Sequence, residues 1–193
     1  MAGEVSAFVL AGGKSTRMGT DKAFVTLDGR TLLQRALETA RSITPDVWIV
    51  GDPAKYASFA PCVPDLHPNC GPLGGIHAAL RSSQTELNLM LAVDLPFVTA
   101  GLLQFVVARA NSSELARVTV PRAAGRLQPL CAVYRRDFAA AAEQAFREKR
   151  YKIDALFDAQ RTDIIEEDVL ESAGFPPMLF RNLNTPEDLA HTK

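Results

Sequence analysis

The chain predicts a single doubly wound α/β domain, and three observations carry that expectation. Apolar runs of strand length alternate with stretches of helical spacing along all 193 residues. Two of those runs, Val5 to Leu10 and Leu87 to Val93, are dense enough in Val, Leu, Met and Phe to be strands buried on both faces. Both end abruptly in polar or glycine-rich turns, at Gly12-Gly13 and at Asp94-Leu95-Pro96-Phe97. In open α/β sheets, ligands sit beyond the carboxyl ends of strands, so these two turns are where function is expected.

The first turn belongs to Leu10 to Lys22, LAGGKSTRMGTDK. Paired glycines permit close backbone approach to a ligand and left-handed angles. Lys14, Arg17 and Lys22 follow, with Arg30 a little beyond, a pattern suited to a polyphosphate. Two other phosphate loops are excluded by spacing. A Walker A motif ending at Gly13-Lys14-Ser15 would need its first glycine at Phe8, and Gly12, Gly13 and Gly19 do not fit a dinucleotide fingerprint. A basic surface loop without a ligand is the plainer alternative.

Composition narrows the function. Lys plus Arg number 21 against 22 Asp plus Glu, so no bulk charge favours nucleic acid and an anion must be drawn locally. Hydrophobic residues are 47% of the chain, enough for a core, yet no run approaches the ~18 apolar residues of a membrane span. The amino terminus has no basic region leading into an apolar stretch, so no secretory signal is expected. Cys62, Cys70 and Cys131 are odd in number and form no C-x-x-C pair, which points to a reducing cytoplasm. His67 and Cys70 could give two zinc ligands, but nothing nearby completes a set of four.

In chain order, Thr31 to Ser42 has apolar residues at helical spacing and packs on the sheet. Asp46 to Val50 is a strand, with Trp48 read as core, and it ends in the turn Gly51-Asp52-Pro53. Prolines leave residues 61–65 as an edge strand at most. GPLGGI, residues 71–76, is a glycine turn ahead of a helix over Ile76 to Ser82, and such a turn lets free helix amides face a ligand. Asp94, after the Leu87 to Val93 strand, can hold a hydrated magnesium ion; alternatively it caps the next helix, a task Thr99 or Pro96 could take.

A helix follows over Leu102 to Ala110. Val118 to Pro121 and Leu130 to Tyr134 are strands, and the turn between them carries Arg122 and Arg126, either a solvated tip or an arm over an anionic acceptor. Arg135 to Lys149 is a long Ala-rich helix whose basic end, Lys149 to Lys152, complements its dipole. Asp154 to Asp158 is amphipathic, Asp163 to Ile165 is a short strand, and Glu166 to Asp168 form a solvated acidic face. Met178 to Asn182 is read as a last strand, after which Asn182 and Asn184 point the same way and Thr185-Pro186 starts a helix.

Taken together, LAGGKSTRMGTDK, GPLGGI, Asp94-Leu95-Pro96-Phe97, Leu127-Gln128-Pro129-Leu130 and NLNTPEDL occur in the order seen in the molybdenum cofactor guanylyltransferases, spanning residues 10–189. The resemblance implies a Rossmann-like nucleotidyltransferase with a mixed, mostly parallel sheet and helices on both faces. It implies transfer of GMP from GTP to the phosphate of molybdopterin, with Mg2+ required, pyrophosphate released, and transient contacts with other cofactor-biosynthesis proteins or molybdoenzymes. By the same resemblance Leu10, Ala11, Gly12, Gly13, Asp65 and Gly74 bind nucleotide. Lys22 contacts the phosphates during transfer, Arg17 supports the triphosphate or the pterin phosphate, and Asp94 holds magnesium. Arg150, Asn182 and Asn184 fall on the acceptor side. One departure is Gly51-Asp52, where the family often has Asn.

The chemistry agrees with the residues. A phosphate acceptor is already anionic, so no Ser, Cys or His nucleophile is needed. The barrier is anion against anion, and a cation ~4 Å from a phosphate charge is worth roughly 4 kcal/mol at an effective dielectric of 20. Rival readings are a cytidylyltransferase, which usually has LAAG where this chain has LAGG, a guanylyltransferase for another phosphorylated acceptor, and a non-catalytic nucleotide-binding protein.

Overall fold

The strand that carries the sheet is the most apolar one. All six residues of LNLMLA at 87–92 are buried, which requires neighbours on both edges and cover on both faces. The computed structural model describes residues 4–12, 21–67 and 69–183, and it supplies that cover.

The described elements run β1 (Val5–Leu10), β2 (Thr26–Leu27), β3 (Arg30–Thr31), α1 (Leu32–Arg41), β4 (Val47–Val50), α2 (Pro53–Tyr56), β5 (Cys62–Val63), α3 (Pro72–Ser82), β6 (Leu87–Ala92), α4 (Ala100–Ser112), β7 (Val118–Ala123), β8 (Arg126–Leu127), β9 (Cys131–Arg135), α5 (Phe138–Arg147), β10 (Thr162–Ile165) and α6 (Glu167–Ser172). The main sheet has the order β10-β7-β9-β6-β1-β4-β5, with β8 paired to β7. Neighbours β1, β4, β5 and β6 are parallel, as are β7 and β10, while β9 runs against both β6 and β7. This is the mixed, mostly parallel, doubly wound sheet that the sequence predicts.

Two buried layers sandwich it. One packs α1, α4 and α6 on one face through Leu33, Leu37, Leu102, Val106 and Leu170. The other packs α3 and α5 on the opposite face through Leu73, Ile76, Leu80, Phe138 and Ala142. Helix α1 begins where the sequence predicts: Thr31 accepts from the Gln34 amide, and Gln34 reaches back to the Thr31 amide, a complete capping box.

Several expectations need correction. Helix α3 starts at Pro72, so Gly74 and Gly75 of GPLGGI lie inside it rather than ahead of it, and only Gly71 precedes it. Gly71 takes φ 61° and makes the bend, and Pro72 suits a first helical position because its missing N–H is not needed there. Helix α5 starts at Phe138, since Arg135 still belongs to β9. The amphipathic stretch after α5 is a 3-10 turn, Ile153–Leu156. Met178 to Asn182 is no strand: Pro177–Phe180 is a 3-10 turn, which Pro177 opens readily because its fixed φ suits a first helical position and its missing N–H is not needed there. Thr185-Pro186 lies outside the described residues.

The far edge is tied by charge. Asp163 on β10 accepts from Arg109 of α4 at 2.7 and 2.9 Å and from the Ser113 hydroxyl at 2.6 Å. The Arg109 hydrogen bonds, against the opposing effect of burial, hold the Asp163 carboxyl below its ordinary range. Its stabilisation is therefore complete above about pH 4 and lost as pH falls through the lowered native value. Asp163→Ala is expected to cost about 1–3 kcal/mol at pH 7 in chemical denaturation, with the gap to the native chain narrowing below about pH 4.

Candidate active site

Three parallel strands end together, and the site is built on their ends. The amides of Ala11 and Gly12 both donate to the Val50 carbonyl, at 3.0 and 3.2 Å, and the Val93 amide donates to the Leu10 carbonyl at 3.1 Å. This carries the ladder one residue past β1 and β6 and turns both chains outward at the same level. The resulting cavity, about 200 Å³, is lined by Leu10, Ala11, Gly12, Lys22, Val50, Asp65, Gly71, Pro72, Gly75, Ala92, Val93, Asp94 and Leu130. Residues from the first glycine loop, the GPLGGI turn and the Asp94 turn, far apart in sequence, are thus brought to one place.

Lys22 Nζ stands 3.5 Å from Asp94 Oδ2, both side chains being about one-fifth exposed. Asp94 has no helix to cap, because Thr99 accepts the Leu102 amide and caps α4 itself. The Asp94 carboxylate faces the cavity, while its backbone carbonyl accepts from the Leu183 amide at 3.0 Å, fastening the C-terminal segment beside it.

A second cavity, about 610 Å³, opens on the other side of Asp94. It shares Ala92, Asp94 and Leu130 with the first, and adds Ala123, Ala124, Arg126, Gln128, Pro129, Phe180 and Asn182. Its position follows from topology. Because β9 runs antiparallel to β6 and β7, the connection from β7 to β9 returns at the same edge as the ends of β1 and β6. The two-residue turn at Ala124 and Gly125, φ 49° and 71°, is what reverses the chain there. Arg122 is spent on this hairpin, donating to Glu166 at 2.8 Å, and the Gly125 amide donates to Glu167 at 2.5 Å. Glu166 and Glu167 of the acidic face therefore clamp the hairpin, while Arg126 borders the cavity.

The remaining sequence-predicted residues divide three ways. Gly74 does not line the first cavity; it is buried in α3 beneath Asp65, and a Cβ there would lie 2.6 Å from the His67 carbonyl and 2.7 Å from Asp65 Oδ1. Asp65, whose carboxylate also accepts from the His67 amide at 2.7 Å, is thus held by the absence of a side chain at 74. Arg150 is half-exposed, paired with Glu148, and borders neither cavity. Gly13, Arg17 and Asn184 lie outside the described residues.

A second group of residues was not legible in sequence. Asp21 caps the 3-10 turn Lys22–Phe24 by accepting the Ala23 amide at 3.2 Å, and its other oxygen accepts from Tyr56 at 2.8 Å and Lys55 at 3.0 Å. Burial raises the Asp21 pKa, but the hydrogen bonds from Lys55, Tyr56 and Ala23 outweigh it and hold the group ionised below its ordinary range. Burial, aided by the neighbouring Asp21 charge, raises the Tyr56 pKa, so the phenol keeps its proton. No marker in the sequence joins residues 21 and 56; only the fold does.

Thiol chemistry is closed off at Cys131, whose burial pushes its pKa up to about 12, and Cys62 is likewise raised by burial. Among the described residues no group of three or more His, Cys, Asp or Glu could hold a metal ion alone. Gly74→Ala is expected to displace Asp65 and lower stability by about 1–3 kcal/mol, read by denaturant titration.

Comparison with known proteins agrees with this geometry. Residues 7–164 match the MobA-like NTP transferase domain. The chain is 34% identical over 188 residues to a molybdenum cofactor guanylyltransferase of Desulfosudis oleivorans, covering 96% of this chain and 92% of that one. Among solved structures, molybdopterin-guanine dinucleotide biosynthesis protein A from Archaeoglobus fulgidus superposes with a TM-score of 0.82 at 26% identity, covering 96% and 95% of the two chains. A 4-diphosphocytidyl-2C-methyl-D-erythritol synthase from Anaerococcus prevotii shares the fold, with a TM-score of 0.70 at 13% identity over 98% and 94%. With its glycine-lined strand ends and the Lys22–Asp94 pair between two cavities, the chain belongs to the MobA-like NTP transferase family.

Proposed function

We propose that this protein transfers GMP from GTP to the terminal phosphate of molybdopterin, releasing pyrophosphate. The observation that carries the reading is the position of Asp94 and Lys22, 3.5 Å apart at the joint of two cavities that share Ala92, Asp94 and Leu130. Joining two phosphorylated molecules needs two adjoining sites with neutralising charge between them. The nucleotide occupies the cavity of Leu10, Ala11, Gly12 and Asp65, and the acceptor the cavity of Arg126, Gln128 and Asn182.

An oxygen of the acceptor phosphate attacks the α-phosphorus of GTP, and the bond from that phosphorus to the oxygen bridging to the β-phosphate breaks. The electron pair leaves with pyrophosphate, and no protein nucleophile takes part. The backbone at Ala11 and Gly12, held by Val50, leaves no side chain between the strand end and the nucleotide. Lys22 carries positive charge to the phosphates, and its gain is largest where charge accumulates on the leaving group. Arg17 and Gly13 belong to the same loop and are assigned to the triphosphate. Asn182, Asn184 and Arg150 are assigned to the acceptor side.

Asp94 fits a magnesium ion: it is one partly exposed carboxylate facing a cavity, and magnesium is commonly held by one or two carboxylates together with substrate phosphates and water. When bound there, the ion supplies positive charge to the phosphate oxygens. In its absence Lys22 neutralises the same carboxylate.

Lys22→Ala and Asp94→Ala should each lower GMP transfer at least about a hundredfold, with circular dichroism and melting temperature near those of the native chain. Near-normal turnover in either variant would falsify the mechanism. Competition between GTP and CTP for the free protein tests the base assignment: GTP is expected to win, and preference for CTP makes the protein a cytidylyltransferase.

A further inference from the structure

Tyr56 lies in α2, outside both cavities, yet it touches both ends of the glycine loop. Its hydroxyl is 2.8 Å from Asp21 Oδ2 and 3.2 Å from the Ala11 carbonyl oxygen. Ala11 and Asp21 flank residues 12–20 in sequence, so one phenol bridges the point where the chain leaves β1 and the point where it returns. We propose that Tyr56 is a positioning residue that fixes this stem and thereby aims Lys22 at the nucleotide's phosphates.

Three further observations carry the argument. The side chain is rigidly seated: Tyr56 is 2% exposed, its ring stands 5.8 Å from that of Phe24, and a Cβ on Gly51 would lie 2.7 Å from its Cε2. Gly51 is therefore glycine to admit the tyrosine ring, and Asp52 beside it caps α2 by accepting the Ala54 amide at 3.0 Å. Next, the phenol has a partner worth fixing. Asp21 immediately precedes Lys22, and its other oxygen caps the turn Lys22–Phe24, so the direction of Asp21 sets the direction in which Lys22 leaves the chain. Finally, the hydroxyl shares its one proton unequally between two acceptors: the nearer, ionised Asp21 takes the stronger, charge-assisted arm at 2.8 Å, and the Ala11 carbonyl the weaker arm at 3.2 Å. Lys55, more than half exposed, reaches the same oxygen but bridges nothing to Ala11.

The inference rests on the reading of Lys22 as a phosphate contact, and its test separates the two. Tyr56→Phe keeps the ring over Gly51 and removes only the hydroxyl. Steady-state GMP transfer is expected to fall about tenfold to a hundredfold, the loss falling on kcat, with KM for GTP moving far less. In a Lys22→Ala background the same Tyr56→Phe change should alter the rate less than about twofold, because the residue it aims is gone. A parallel measurement needs no acceptor: labelling of Lys22 by acetic anhydride, read by mass spectrometry, with and without GTP. GTP should protect Lys22 in the native chain and protect it much less in Tyr56→Phe. A native rate in Tyr56→Phe, or equal losses in both backgrounds, overturns the proposal. So does equal protection of Lys22 in the two proteins, whereas no protection even in the native chain overturns the phosphate-contact reading beneath it.

Discussion

The constraint on which this architecture depends is electrostatic. Two phosphorylated molecules repel, and any fold that joins them must bring compensating charge to the point of contact without flooding the rest of the surface with cations. This chain carries 21 Lys plus Arg against 22 Asp plus Glu, so the compensation is local. The proposed mechanism concentrates it where Lys22 meets Asp94, at the carboxyl edge of β1 and β6. An Asp–Lys contact is well suited to such a place. The two neutralise each other across 3.5 Å, and in the proposed mechanism a nucleotide and a divalent ion would give each a stronger partner of opposite charge.

The sheet makes that contact possible by topology rather than by local sequence. Parallel strands β4, β1 and β6 end at one edge and leave a crevice there. The antiparallel β9 then returns the chain to the same edge, and the β7–β8 hairpin walls off a second space beside the first. Asp94 is the partition. Glu166 and Glu167 brace the hairpin from outside, so residues that look like a solvated acidic face in the sequence have a structural task.

How much of this was legible beforehand follows a physical rule. Features written in consecutive residues were readable: the buried runs of β1 and β6, the capped start of α1, and the glycine and carboxylate turns at strand ends. Leu10, Ala11, Gly12, Lys22, Asp65 and Asp94, each in or beside such a turn, all line one cavity. Glycine and proline were read less well, since each serves opposite purposes. Gly74 reads as part of a turn ahead of a helix and lies inside that helix, where the absence of a side chain leaves room for Asp65. Pro177 reads as the end of a loop before a last strand and instead opens a 3-10 turn that takes up most of that segment. Contacts set by tertiary distance alone, such as Tyr56 with Asp21 and Ala11, left no trace in any window of sequence.

The central claim, that Lys22 and Asp94 meet the phosphates between two substrates, is tested most directly by a crystal structure of the protein soaked with GTP and magnesium. The account predicts the base and ribose against Leu10 to Gly12, a divalent ion on the Asp94 carboxylate, and Lys22 Nζ moved from Asp94 onto a phosphate oxygen. A triphosphate bound away from this pair, with the Lys22–Asp94 contact intact, would contradict it.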